Sequence, residues 1–301
     1  MKRMQIRKIL VPIDFSQCSI RALHLAADIA RQHQAELHLL YIDDCDYTLY
    51  TDDETLRPPR NPEYMKTLVN LAKMTINSLE VQCSYSAETT AVSYGILKTA
   101  RNRYADLIVM GKNGNNGPSG NYAGTHALQV AEKSRIPVLL VPEQAVKNGF
   151  HQILFPARPL LSVPEKYDAV RQLLLKQRPA ITLFLLRNPA YENELHIIHR
   201  LSLMLKEKLE TDGMPYRLEH YFRDPHFADA VLDEMSDPEK NYDLAIITAE
   251  TDRLNREFHL GAYAQTIIHR CAIPILLLRP EKARLDKQEI LERLSKTVMM
   301  N

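Results

Sequence analysis

Asp106-Leu107-Ile108-Val109-Met110-Gly111-Lys112-Asn113-Gly114 is an apolar run of strand length ending in a glycine turn, and Gly124-Thr125-His126 follows where a helix pattern begins. Consecutive aliphatic residues suit a strand covered on both faces, as in a parallel sheet. A loop that leaves such a strand and enters a helix lies at the edge where open α/β sheets bind ligands. Five of the nine glycines fall between Gly111 and Gly124. Glycine permits φ > 0 and close approach of backbone to a ligand. The helix start offers unpaired N–H groups and a positive dipole end, and the Thr125 hydroxyl adds a donor. This chemistry fits a polyphosphate cradle. A surface loop that needs only tight turns, as Asn115-Asn116-Gly117-Pro118 does, fits the same composition.

Outward from this stretch, strand and helix patterns alternate. Ile9 to Ile13 is a strand, Ser16 an N-cap, and Ile20, Leu23, Ala27 and Ala30 lie on one helical face. Leu37 to Ile42 is the second strand. Thr51 to Pro62, with its prolines and charges, is expected to be a loop, and it fits either a lid over a site or a plain connection. Tyr64, Leu68, Leu71 and Leu79 mark a helix. Val81, Cys83 and Tyr85 alternate as a strand, Ala91 to Arg103 is helical, a helix follows near Thr125 to Ser134, and Val138 to Val141 is the fifth strand. Strands separated by helices run parallel, so the half is a five-stranded doubly wound sheet.

The second half repeats the plan. Asp106-Leu107-Ile108-Val109-Met110 falls on Asp243-Leu244-Ala245-Ile246-Ile247, an offset of 137 that also carries Gly124 onto Gly261 and Ile136-Pro137 onto Ile273-Pro274. Ile9-Leu10-Val11-Pro12 falls on Ile153-Leu154-Phe155-Pro156. Gln152 to Pro156, Ile181 to Leu186, Arg217 to Phe222, Leu244 to Thr248 and Ile275 to Leu278 are strands, and Val163 to Arg178 and Glu192 to Thr211 are helices. The expected organisation is a domain over 1–146, a second over 150–281, and a helical tail over 282–301. The tail's apolar face packs on a domain or docks a partner.

The 301 residues suit two domains. With 45% hydrophobic and 25% charged residues, disorder is excluded as the dominant state. A net charge of +1 gives no support for a nucleic-acid binder. Cys18, Cys45, Cys83 and Cys271 are too scattered for a zinc site or disulfide framework and read as free thiols. No window reaches the length of a membrane span, and the N-terminal apolar stretch is too short for a signal sequence, so the cytosol is the expected compartment.

The spacing Gly111-x2-Gly114-x9-Gly124-Thr125 resembles the ATP-binding signature of the universal stress protein family. The opening Ile9-Leu10-Val11-Pro12-Ile13-Asp14-Phe15-Ser16 resembles that family's first strand and turn, and Arg135-Ile136-Pro137-Val138-Leu139-Leu140-Val141-Pro142 its last strand. The resemblance implies a tandem member: two Rossmann-like domains of the adenine nucleotide alpha hydrolase type in a pseudo-twofold arrangement. It further implies that Pro12, Asp14 and Ile42 line adenine and ribose, that Met110 and Gly111 close the pocket, and that Gly114, Gly124, Thr125 and His126 contact phosphates, chiefly through backbone N–H groups. Asp14 suits a ribose hydroxyl or a metal-bound water, or it partners the helix start. Lys112 reaches a phosphate or is solvated. Mg²⁺ arrives with the nucleotide. The family's dimer contact implies that strand 138–141 pairs with strand 275–278 inside the chain, and further homodimerisation is compatible with it.

The second half has lost the signature. Arg158 stands for Asp14, Thr248 for Gly111, Thr251 for Gly114 and Ala262 for Thr125, while Gly261 survives. A β-branched residue at a φ > 0 glycine blocks the loop, and Glu250, Asp252 and Glu257 repel phosphate, so ATP is expected in the first half alone. Arg158 takes another anion or is a surface arginine. No GxxxxGK[ST] or GxGxxG motif is present. No base is placed to activate water, with His126 and His24 the only candidates considered. A non-enzymatic ATP-binding protein is therefore expected, with a nucleotide-free scaffold and a slow ATPase as the alternatives.

Overall fold

The computed structural model describes residues 6–44, 62–114, 123–144, 149–160, 163–190, 192–222, 226–248 and 260–279. The first half runs β1 (Lys8–Ile13), α1 (Gln17–His33), β2 (Glu36–Asp44), α2 (Pro62–Leu79), β3 (Cys83–Thr90), α3 (Val92–Asn102), β4 (Leu107–Gly111), α4 (Thr125–Lys133) and β5 (Val138–Val141). The second runs β6 (Gln152–Ala157), α5 (Val163–Gln177), β7 (Ala180–Leu186), α6 (Glu192–Thr211), β8 (Tyr216–Tyr221), α7 (Phe227–Ser236), β9 (Leu244–Thr248), α8 (Ala262–Arg270) and β10 (Ile275–Leu278).

The strands form one sheet in the order β3-β2-β1-β4-β5-β10-β9-β6-β7-β8. Neighbours within each half are parallel. At the centre β5 and β10 run antiparallel, with Leu140 opposite Ile275, Leu139 opposite Leu276 and Val138 opposite Leu277. Two apolar layers cover the sheet across both halves. One contains Leu23, Ala27 and Leu68 with Tyr167, Val170 and Leu205; the other contains Ile96, Ala127 and Val130 with Val231, Ala264 and Ile267.

The internal repeat has a polar counterpart. Asp106 Oδ2 accepts from the N–H groups of Arg7 and Lys8, at 2.8 and 3.0 Å. Asp243 accepts in the same way from His151 (2.8 Å) and Gln152 (3.1 Å). Each aspartate fixes the entry of the neighbouring strand to the same register.

The structure departs from the sequence expectations in three places. Val81 is buried but precedes β3, and Tyr85 is exposed; β3 is an outer strand, with Cys83 and Ala87 packed on the apolar core and Ser84, Ser86 and Glu88 on its other face. Pro62 opens α2 instead of closing a loop, a position that suits its missing N–H. Helices α7 and α8 were not anticipated, although the offset that relates the halves carries α4 onto α8. The rest of the 51–62 loop, the Asn115–Pro118 turn, 145–148, the tail 282–301, Cys45, Glu250, Thr251, Asp252 and Glu257 lie outside the described residues. Cys18, Cys83 and Cys271 are free thiols. Among the described residues, no helix is long and apolar enough to cross a membrane.

Candidate functional site

A cavity of about 520 Å³ opens at the carboxyl ends of β1, β2 and β4, against the start of α4. Pro12, Asp14, Ile42, Met110, Gly111, Gly114, Gly124, Thr125 and His126 all line it. Asp14 Oδ1 accepts from the Ser16 N–H (3.0 Å) and the Ser16 hydroxyl (2.5 Å). Ser16 Oγ in turn accepts from the Ser19 N–H (3.1 Å) and caps α1. Asp14 therefore acts as a helix-start partner through one oxygen, while the other faces Gly114.

The glycines do not take the positive φ that was one of their two expected uses. Gly111, Gly114 and Gly124 all lie outside the positive-φ region, whereas Gly149 (φ 80°) and Gly213 (φ 61°) lie within it. What Gly111 and Gly114 supply is space. A Cβ on Gly111 would stand 3.1 Å from the Cys18 carbonyl carbon and from the Ser19 nitrogen, where α1 crosses. A Cβ on Gly114 would stand 2.7 Å from Asp14 Oδ2. Gly124 is the N-cap of α4 with φ −67° and ψ 153°, and as a glycine it offers no side-chain cap. The first-turn amides at Thr125 and His126 thus have no intrahelical acceptor and no cap from the N-cap side chain.

Lys112 lines the cavity but is not solvated, and its ammonium is directed to the other half. It is 1% exposed. Its Nζ donates to the Cys271 carbonyl (2.6 Å) and the His269 carbonyl (3.2 Å), at the C-terminal end of α8 in the other half. A cation there complements the negative end of the helix dipole. Burial pushes its ammonium down to about 8. The β5–β10 ladder brings α8 alongside, which local sequence does not reveal. His24, the other histidine considered, sits by that seam and not in the cavity.

Three aromatic residues at the site were missed. Phe15, Tyr41 and Tyr64 line the cavity. Tyr41 and Tyr64 stack with centroids 4.9 Å apart, and Phe15 lies 5.4 Å from Tyr41 and 6.0 Å from Tyr64. Phe15 holds a left-handed φ of 61°, an unusual conformation for a bulky residue. Helical periodicity places Tyr64 with Leu68 on a core-facing stripe, yet it is 40% exposed and forms part of the cavity wall. Burial pushes the Tyr41 hydroxyl up to about 12.

The equivalent place in the second half is filled by its own side chains. Arg158 stacks over the Tyr263 ring, 4.2 Å from the centroid. Tyr263 stands where His126 stands, and Gly261 caps α8 with φ −60° and ψ 152°. Thr248 is buried at the position of Gly111. Behind Arg158, the buried Lys166 donates to the Pro156 carbonyl (2.8 Å) and lies over the Phe155 ring.

A family model described as the universal stress protein family matches residues 5–142. The universal stress protein YxiE of Bacillus subtilis (strain 168) is 30% identical over 145 residues, covering 44% of this chain and 97% of that protein. The crystal structure of a universal stress protein from Archaeoglobus fulgidus DSM 4304 superposes with a TM-score of 0.66 at 15% identity, covering 90% of this chain and 98% of that one. A putative universal stress protein from Pseudomonas aeruginosa UCBPP-PA14 gives the same TM-score at 14% identity, covering 98% of each chain. At these identities the two structures bear on fold alone.

Proposed function

The chain belongs to the universal stress protein family, and on that premise we propose that its first half binds ATP, with Mg²⁺ arriving on the nucleotide, in a cytosolic regulatory role without dedicated catalysis. The observation that carries this reading is the meeting of all nine residues implied by the resemblance in one cavity that ends at a helix N-terminus capped by a glycine. Pro12, Ile42 and Met110 supply apolar walls for a base, with the Phe15, Tyr41 and Tyr64 rings beside them. Gly114, Thr125 and His126 present backbone N–H groups to phosphates; the Gly124 N–H, against the sequence expectation, is spent on the Lys112 carbonyl at 2.9 Å, and Gly124 acts as the N-cap. Asp14 Oδ2 suits a ribose hydroxyl or a water of the metal. Bound Mg²⁺ would neutralise phosphate charge, and the residues present fit its arrival as part of the nucleotide, with one carboxylate at the phosphate end in place of a protein cage. The commitment of Asp14 Oδ1 to the start of α1 supports a binding role over a base.

The second half, on this reading, is a domain that has exchanged its nucleotide for the Arg158–Tyr263 contact, and the antiparallel β5–β10 ladder is the interface of two tandem domains. The test is calorimetric titration of Mg·ATP into nucleotide-stripped protein, with Gly114→Val beside it. One site per chain is expected, lost in the variant. Absence of binding with the fold intact would leave a scaffold, two sites per chain would overturn the restriction to the first half, and turnover at about 1–1000 per second would make the protein an enzyme.

A further inference from the structure

A second cavity of the first half, about 500 Å³, lies under α3 toward the amino ends of β1 and β2. Alternation along β3 places Ser84, Ser86 and Glu88 on one face. The His38 ring on β2 meets Ser84 Oγ (2.9 Å) and Ser86 Oγ (2.8 Å). Burial pushes the imidazole down to about 4, so the ring is neutral at neutral pH. Glu88 is 7% exposed. Its Oε1 accepts from the Thr99 hydroxyl (3.0 Å), but Oε2 is buried and meets no donor among the described residues. An unanswered buried acceptor is costly, and a charged one more so.

The second half shows how the same position looks when it is filled. By strand register, Thr182 replaces His38 and Arg217 replaces Ser84. The residue before each register-setting aspartate is Ala105 in one half and Tyr242 in the other. Arg217 donates to the Thr182 hydroxyl (2.8 Å) and the Tyr242 hydroxyl (2.9 Å). The Tyr242 hydroxyl donates to Glu234 (2.7 Å), which Lys240 also reaches at 2.8 Å. A guanidinium and a phenol from the chain itself occupy this region. In the first half a serine and an alanine stand in their places, leaving room beside a carboxylate oxygen that lacks a donor.

We propose that this cavity binds a small zwitterion, with its guanidinium or ammonium end at Glu88 and its carboxylate end toward Lys8 and Arg103. The charged side chains lining it are Lys8, Arg103, Glu36 and Glu88, two of each sign. Lys8 and Arg103 are exposed and form the outer part, whereas Glu88 is buried. A simple cation would face the two basic groups, and a simple anion would face Glu88; a molecule carrying both charges at opposite ends satisfies each.

The experiment titrates L-arginine into the nucleotide-stripped full chain, comparing wild type with Glu88→Gln and Ala105→Tyr, and repeats it with agmatine, which lacks the carboxylate. L-arginine is expected at one site per chain, at least about tenfold weaker in Glu88→Gln and lost in Ala105→Tyr, while Mg·ATP binding is unchanged in both. Agmatine is expected to bind several-fold more weakly. The proposal is overturned if L-arginine and L-lysine both fail to bind well above about 1 mM, if Glu88→Gln binds as well as wild type, or if Gly114→Val abolishes L-arginine binding and so assigns it to the nucleotide cavity. Should Ala105→Tyr not fold, the nearly isosteric Glu88→Gln still decides.

Discussion

The halves of the sheet share strand order, helix order and register-setting aspartates, yet the first holds cavities where the second holds arginine–tyrosine contacts. At the carboxyl edge, Asp14 and His126 give way to Arg158 and Tyr263; under the third helix of each half, Ser84 and Ala105 give way to Arg217 and Tyr242. In both places a planar cation meets a large ring, and under the third helix the guanidinium also donates to the Thr182 and Tyr242 hydroxyls. The two halves thus keep matching apolar layers while these edge positions differ. The teaching is that fold resides in the buried runs, while a few edge positions can differ between the halves without disturbing them.

The comparison breaks most visibly at Gly111. Valine there drives a side chain into the backbone of Cys18 and Ser19 at the start of α1. We expect nucleotide binding to vanish and stability to fall by about 3 kcal/mol in urea titration, whereas the second half carries the branched Thr248 at the same place. A Gly111→Val protein that binds ATP normally would sink the close-packing account of the signature.

Lys112 tests how the halves are joined. Lys112→Met strips a donor from the carbonyls of His269 and Cys271, and a loss of about 2 kcal/mol is expected by chemical denaturation. The pH dependence has a definite sign. The folded ammonium titrates near 8 against an ordinary 10.5, so the unfolded chain binds more protons between these values. Stability therefore gains from this group as pH rises from 8 to 10.5, and the cost of burying the charge is fully present below 8. Lys112→Met should flatten that rise; an unchanged slope would mean that the ammonium is not buried in solution.

The smallest expected effect is at Arg158. A double-mutant cycle between Arg158→Ala and Tyr263→Leu should give a coupling of about 1 kcal/mol. Neither variant should gain nucleotide binding, because Thr248 remains. Acquisition of a second ATP site by Arg158→Ala alone would show that the arginine is all that closes the second half.

Much of this arrangement is legible from sequence, for reasons that differ by element. The strands at Ile9 to Ile13 and Leu107 to Met110 are buried on both faces and read as unbroken aliphatic runs. The signature residues converge because each lies at a strand end or helix start, positions that the sheet architecture fixes. The glycine conformations were not legible, since a requirement for missing volume leaves the same letter as a requirement for positive φ. Nor was the destination of Lys112, which depends on a ladder formed by strands far apart in sequence. Glu88 and Tyr64 sit on elements whose periodicity is clear, but what lies opposite them is set by tertiary packing.

The ladder between β5 and β10 has one more consequence. Its two strands belong to one polypeptide, in which the elements from β6 to α8 separate β5 from β10. Closing the ladder is a unimolecular event governed by the effective concentration that the tether imposes, so it does not weaken on dilution. Separate single-half chains meeting through the same strands would come apart as their concentration fell; this sheet keeps its centre at any concentration.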